Sequence, residues 1–103
     1  MRNKTYKLQK LENSRYSIFT KDLDHCFLCG AMGVDIHEIY GGSNRKQSMK
    51  NGFCVPLCRF HHSLVTLYPK YNNILQKECQ EIYEINHSRE EFMKIIGKNY
   101  LGD

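Results

Sequence analysis

The clearest pattern in this chain is a switch of hydrophobic period from residue 34 onward. Val34-Asp35-Ile36-His37-Glu38-Ile39-Tyr40 alternates apolar and polar positions, which predicts a half-buried strand ended by Gly41-Gly42. Phe53-Cys54-Val55-Pro56-Leu57 alternates again, placing Phe53, Val55 and Leu57 on one face, and its proline suggests a short or edge strand. Between them, Ser43 to Gly52 is polar and basic with no apolar periodicity, so it reads as a loop. His61 to Tyr68 fits a short helix stopped by Pro69. A second helix is expected between about Asn72 and Asn86, where Ile74, Leu75, Cys79, Ile82 and Tyr83 share a face. Ser88-Arg89-Glu90-Glu91 is a capping box, followed by the stripe Phe92, Met93, Ile95 and Ile96 and a glycine stop at Gly97. These stripes are packing surfaces, and Cys79 reads as a small buried apolar residue within one of them.

The order of elements divides the chain into an arm (1–24), a central module (25–69) and a helical extension (70–103), together one domain. The arm carries Arg2, Lys4, Lys7, Lys10, Arg15 and Lys21 against Glu12 within residues 1–21, and a short strand or helix is expected near Tyr16–Phe19. That charge, about +5 in a chain of net +4, fits contact with a phosphate backbone as well as it fits a solvated tail. With 103 residues, a hydrophobic core alone would be marginal. The start is polar and no long apolar run follows, so neither an export signal nor a membrane span is expected. A cytoplasmic chain would keep its five cysteines reduced, as metal ligands or buried thiols.

Cysteine spacing supplies the candidate chemistry. Cys26-Phe27-Leu28-Cys29 is answered by Cys58-Arg59-Phe60-His61, two pairs of donors each separated by two residues, as a tetrahedral zinc site requires. Such a site contributes on the order of 10–16 kcal/mol in small metallo-domains, so the metal is expected to be needed for folding. His62 remains over; it and His61 could exchange roles, but the spacing favours His61 as the fourth ligand. Cys54 stands three intervening residues from Cys58, a spacing less apt for the same pairing, and reads as a strand residue, while His25 and His87 read as solvated or capping residues.

Taken in order, CxxC, a strand carrying His37, a Gly/Asn-rich loop and Leu57-Cys58-Arg59-Phe60-His61-His62 resemble the HNH nucleases, whose fold is the ββα-metal or His-Me finger. The string His37-Glu38-Ile39-Tyr40-Gly41-Gly42-Ser43-Asn44-Arg45, with Ser48, Gly52 and Leu57-Cys58, is similar to small HNH proteins of phages and prophages, as is the ending Phe92 to Tyr100. The resemblance covers most of residues 25–101. It implies an α+β fold: a ββα-metal module with a zinc knuckle and a helical C-terminal extension.

It also implies hydrolysis of phosphodiester bonds in double-stranded DNA, with Zn²⁺ as structural ion and Mg²⁺, Mn²⁺ or another divalent cation as the catalytic one. On this resemblance His37 or Glu38 is the general base and His62, with Asp35, holds the catalytic cation. Asn44, or else Asn51, is the motif asparagine, and Arg45, Lys46 and Lys50 could clamp phosphates. A neutral histidine is the better base near pH 7, which favours His37. Thr66 stands where several HNH sites place another histidine, which would weaken metal affinity. A zinc-stabilised nucleic-acid-binding or protein-interaction module without cleavage is therefore the competing expectation. The implied setting is a bacterial host cell, with a phage packaging or recombination protein as a further partner and a monomer or homodimer as the working unit.

Overall fold

The computed structural model describes residues 6–102; Arg2 and Lys4 of the basic arm lie outside them. Two antiparallel strands, β1 (Val34–Glu38) and β2 (Cys54–Cys58), pair with Val34 opposite Cys58 and Glu38 opposite Cys54. Around them, in chain order, stand α1 (Tyr6–Asn13), α2 (Arg45–Asn51), α3 (Arg59–Leu67), α4 (Pro69–Tyr83) and α5 (Arg89–Ile96). The fold is a small α+β arrangement with a two-stranded sheet. None of the helices is long and apolar enough to cross a membrane, among the described residues.

Pro56 shows how the sheet accepts a proline. Its carbonyl accepts the Phe27 N–H (2.9 Å) from outside the strand pair. In an extended residue the nitrogen points the same way as the carbonyl, so the missing N–H removes nothing from the β1 ladder. The strand expected to alternate is instead buried along Cys54–Leu57: the cysteine loop bonds to Pro56 through Phe27, and the Cys54 sulfur lies on the Ser48 carbonyl.

Three expectations about elements need correction. Ser43–Gly52 is not a loop: a 3-10 turn (Gly42–Asn44) runs into α2, which buries only the adjacent pair Ser48 and Met49 and so leaves no apolar stripe to read. Ser48 is nevertheless fully buried, donating to the Tyr40 carbonyl (2.7 Å) and accepting from the Tyr40 N–H (3.1 Å). The helix of the arm lies at Tyr6–Asn13, not near Tyr16–Phe19, and it packs on α2 instead of forming a free tail. Pro69 ends α3 but also opens α4 as its first residue, where a missing N–H costs nothing. The capping box at Ser88 and the left-handed Gly97 (φ +87°) bound α5 as the sequence predicts.

The core gathers Ile39, Tyr40 and Phe53 from the strand ends with Val55 and Leu57 from β2, Val65 from α3, Leu75 and Cys79 from α4, and Phe92 and Ile96 from α5. Tyr40, Phe53, Tyr83 and Phe92 meet ring to ring at 5.5–5.9 Å, mostly edge to face. The buried Tyr40 hydroxyl donates to the Gln76 carbonyl (2.6 Å), and Gln80 satisfies its amide on Glu84, Asn99 and the Tyr100 N–H. The C-terminal helices thus close over the apolar ends of the sheet and hold α4 against β1.

Candidate metal centre and histidine cluster

The chain brings Cys26, Cys29, Cys58 and His61 together, their donor atoms all within 4.8 Å of one another. Local backbone explains why. A tight turn, with Gly30 N–H on the Cys26 carbonyl (2.7 Å) and Gly30 at φ +79°, folds Cys29 back over Cys26. Cys58 ends β2 and at the same time caps α3, its sulfur accepting the His61 N–H (3.5 Å), so the first helical turn carries the His61 ring to it.

Donors about 2.3 Å (sulfur) and 2.0–2.1 Å (nitrogen) from one tetrahedral zinc stand about 3.8 Å apart sulfur to sulfur and about 3.6 Å apart sulfur to nitrogen. Cys29 and Cys58 sulfurs lie 3.8 Å apart, and His61 Nδ1 lies 3.6 Å from Cys26 and 3.3 Å from Cys58. The quartet therefore fits a tetrahedral ion and could hold a metal such as zinc. Burial pushes the Cys26 thiol up, but backbone N–H groups of Cys58, Leu28 and Cys29 outweigh it and bring it down to about 6. Thiolate is the form that ligates metal. Cys54 is not near this set; it is buried, its sulfur on the Ser48 carbonyl (3.6 Å), and burial raises its thiol to about 12.

A second cluster lies where β1 meets α3 and α4. Alternation along β1 puts Asp35 and His37 on one face and Glu38 on the other. His62, one residue after the His61 ligand, turns the other way: its Nδ1 is 3.4 Å from Asp35 Oδ2, and its ring stands 5.3 Å from that of His37, edge to face. His37 Nε2 lies 2.8 Å from Asn72 Oδ1, while Asn72 Nδ2 donates to the Ile39 carbonyl (3.3 Å). That second bond assigns oxygen to the His37 side of the amide. His37 must then donate from Nε2, which leaves Nδ1 as the lone pair of the neutral ring. Burial holds the imidazole below the ordinary histidine range, with the Asn72 bond pulling the other way. Beside it opens a cleft of about 600 Å³ bordered by His37, Thr66, Lys70, Asn72 and Asn73.

The remaining predicted residues do not join the histidine cluster, although Glu38 and Thr66 also border the cleft. Glu38 accepts from both Arg15 and Arg45 (3.0 Å to Arg45 Nε), and Arg45 also donates to Glu12 (2.6 Å), so Glu38 and Arg45 are held within an ion-pair network behind β1. Asn44 donates to the Ile96 carbonyl (2.9 Å), and Asn51 donates to the Gln47 carbonyl (2.8 Å). Thr66 turns its hydroxyl back onto the His62 carbonyl (2.7 Å). Lys46 and Lys50 sit on α2, facing Lys7 and Lys10 of α1 across a groove. His25 pairs with Asp22 (3.0 Å), and His87 stacks on Tyr83 (4.2 Å). Two contributors escaped the sequence reading: Asn72, because only the return of α4 across β1 brings it to His37, and the Arg15–Glu38 pair, because 23 residues separate its members. Compared with known proteins, the chain matches no family model, no curated protein and no solved structure, so its chemistry is read from these residues and their geometry.

Proposed function

We propose that this chain is a metal-dependent endonuclease of the HNH, ββα-metal type that hydrolyses phosphodiester bonds in double-stranded DNA, with zinc on Cys26, Cys29, Cys58 and His61 as its structural ion. One observation carries the reading: the leftover His62 meets His37 and Asp35 across the β1–α3 seam, directly beside the metal-binding quartet. Structural zinc explains the quartet alone; it gives no reason for a second, half-buried pair of histidines with a carboxylate.

In this reading His62 and Asp35 hold a divalent cation such as Mg²⁺ or Mn²⁺, whose chemistry when bound is to polarise the phosphate and stabilise the leaving oxygen. His37 takes a proton from the attacking water at Nδ1. Asn72 fixes the ring orientation and keeps the other proton on Nε2, so the base is presented in one tautomer. Desolvation favours the neutral ring, which keeps that lone pair available near pH 7. Glu38 is assigned a structural part, since its oxygens already accept from two guanidinium groups. Asn44, as motif asparagine, staples the turn after β1 to the end of α5. Lys70, at the cleft, is placed to meet a phosphate oxygen.

A second reading, a zinc-stabilised binding module without cleavage, is favoured by Thr66, whose engagement with its own helix leaves the second site two protein donors. The test is nicking of supercoiled plasmid by zinc-loaded protein with Mg²⁺, Mn²⁺, Ni²⁺ or no added ion, beside His37→Ala, His62→Ala and Glu38→Ala. Ion-dependent nicking that is lost in folded His37 and His62 variants supports the nuclease. Folded protein that carries one zinc and fails to nick the plasmid whichever ion is added supports the binding module.

A further inference from the structure

We infer that the groove between α1 and α2 is a second nucleic-acid contact, sharing no lining residue with the histidine cleft, that grips a run of backbone phosphates through Lys7, Lys10, Lys46 and Lys50. The groove measures about 350 Å³, and its floor is Leu8, Leu11 and Ser14. It rests on the nuclease reading only in its choice of ligand, a nucleic acid over another polyanion.

Three observations support it. Lys7 and Lys10 are three apart on α1, and Lys46 and Lys50 are four apart on α2, so each pair stands on one helical face. The two faces then converge on one groove, whose lining includes no carboxylate. Nearby acids are turned away from it: Glu12 and Glu38 are nearly covered and are held by Arg15 and Arg45. Arginine and acid thus neutralise each other beneath the helices, and four exposed ammonium groups remain above with no acidic partner among the described residues. Like charges at these spacings repel, and a linear array of phosphates removes that repulsion. Apolar stems of the lysines and the two leucines floor the groove, which suits long flexible cations reaching out to separate phosphates better than a fixed fork for one small anion.

The network also assigns Arg45 a part different from the one its sequence position suggested. It is the brace that joins α1, β1 and α2, and the phosphate contacts pass to the lysines.

The test is binding of a 20-base-pair duplex, followed by fluorescence anisotropy over 50–200 mM salt without added divalent ion. The wild-type chain is compared with the quadruple Lys7→Gln, Lys10→Gln, Lys46→Gln, Lys50→Gln variant and with a charge-matched control, Lys21→Gln, Lys77→Gln, Lys94→Gln, Lys98→Gln. Each lysine that neutralises a phosphate contributes about 0.9 to the slope of log affinity against log salt. The groove variant should therefore lose about 3 to 4 from that slope and bind roughly 10-fold or more weakly at 50 mM salt, while the control loses far less. Should the quadruple variant misfold, the two double variants, Lys7/Lys10 and Lys46/Lys50, should each lose about half of that slope. Equal losses in groove and control variants would overturn the proposal, as would absence of wild-type binding. Lysine-dependent binding to vesicles containing anionic phospholipid, with none to DNA, would overturn it too. Lysine-dependent DNA binding by a chain that nicks nothing would uphold the groove and sink the nuclease, whereas nicking with lysine-independent binding would do the reverse.

Discussion

Replacing Gly52 by alanine should destabilise the protein more than replacing Gly97, although both glycines end a helix in the left-handed region. Gly52 (φ +74°) caps α2, its N–H on the Ser48 carbonyl, and Gly97 (φ +87°) caps α5, its N–H on the Met93 carbonyl. An alanine at either site meets the left-handed penalty of about 1–2 kcal/mol. At Gly97 a Cβ would meet nothing within 4 Å. At Gly52 it would stand 2.4 Å and 2.8 Å from Tyr16 Cε2 and Cδ2 and 3.0 Å from Ile18 Cγ2. The Tyr16 ring would have to swing out, giving up its hydroxyl bond to the Lys50 carbonyl (3.2 Å), a net loss of about 0.5–1.5 kcal/mol, and part of its apolar contact. The backbone bond from Ile18 N–H to the Gly52 carbonyl (2.9 Å) would be strained by the same movement. Together the cost is about 2–4 kcal/mol for Gly52→Ala against about 1–2 for Gly97→Ala, out of the roughly 5–15 kcal/mol that holds an ordinary domain. Urea unfolding at fixed zinc concentration, followed by far-ultraviolet circular dichroism, measures both. Tyr16→Ala in the Gly52→Ala background should recover part of the excess, as a double-mutant cycle would register. Equal destabilisation by the two alanines, or no coupling to Tyr16, would refute the close approach of residues 16–18 to the end of α2. Since that approach helps dock the arm, Gly52→Ala should also weaken the lysine groove.

Stripping zinc from zinc-loaded protein with a chelator at neutral pH should unfold the chain, because the expected contribution of a four-ligand zinc (on the order of 10–16 kcal/mol) matches or exceeds the stability of a small domain; retention of the native circular dichroism by metal-free protein would contradict it. For His37, burial lowers the folded-state value, so between that value and about 6.5 the unfolded chain binds more protons. Its contribution to stability is therefore present above about pH 6.5 and is lost as pH falls toward the folded value. Asn72→Asp should raise the His37 titration by about 1–3 units, read from histidine nuclear magnetic resonance shifts without any cleavage assay, and an unmoved titration would argue against the contact. Glu38→Ala should cost about 1–2 kcal/mol, less than the 3–5 of a fully buried pair because Arg15 and Arg45 stay partly exposed. If His37 is the base, the nicking rate of Glu38→Ala should stay within about 10-fold of wild type, since residues outside the acid–base step lose less than the 10²–10⁴ such a step supplies.

The sequence by itself determined what depends on short-range spacing. One Cys-x-x-Cys and one Cys-x-x-His pair named the four members of the candidate metal quartet, because each turn fixes its two donors locally. Period-2 alternation located the strands, and the box at Ser88 with Gly97 bounded the last helix, since caps are chemistry of neighbouring residues. Whatever depends on distant segments meeting was decided only by the tertiary structure. A helix as short as α2, burying two adjacent residues, carries no periodic signature, and its stability comes from Ser48 locking onto Tyr40. The position of the arm follows from the salt links of Glu12, Arg15, Glu38 and Arg45, which no local pattern announces. Likewise, alternation could place Asp35 and His37 on one face of β1, but only the packing of α3 and α4 against that face brought His62 and Asn72 to them. Spacing within a turn is set by bond geometry, whereas contacts between separate elements are set by which faces the whole chain can bury together.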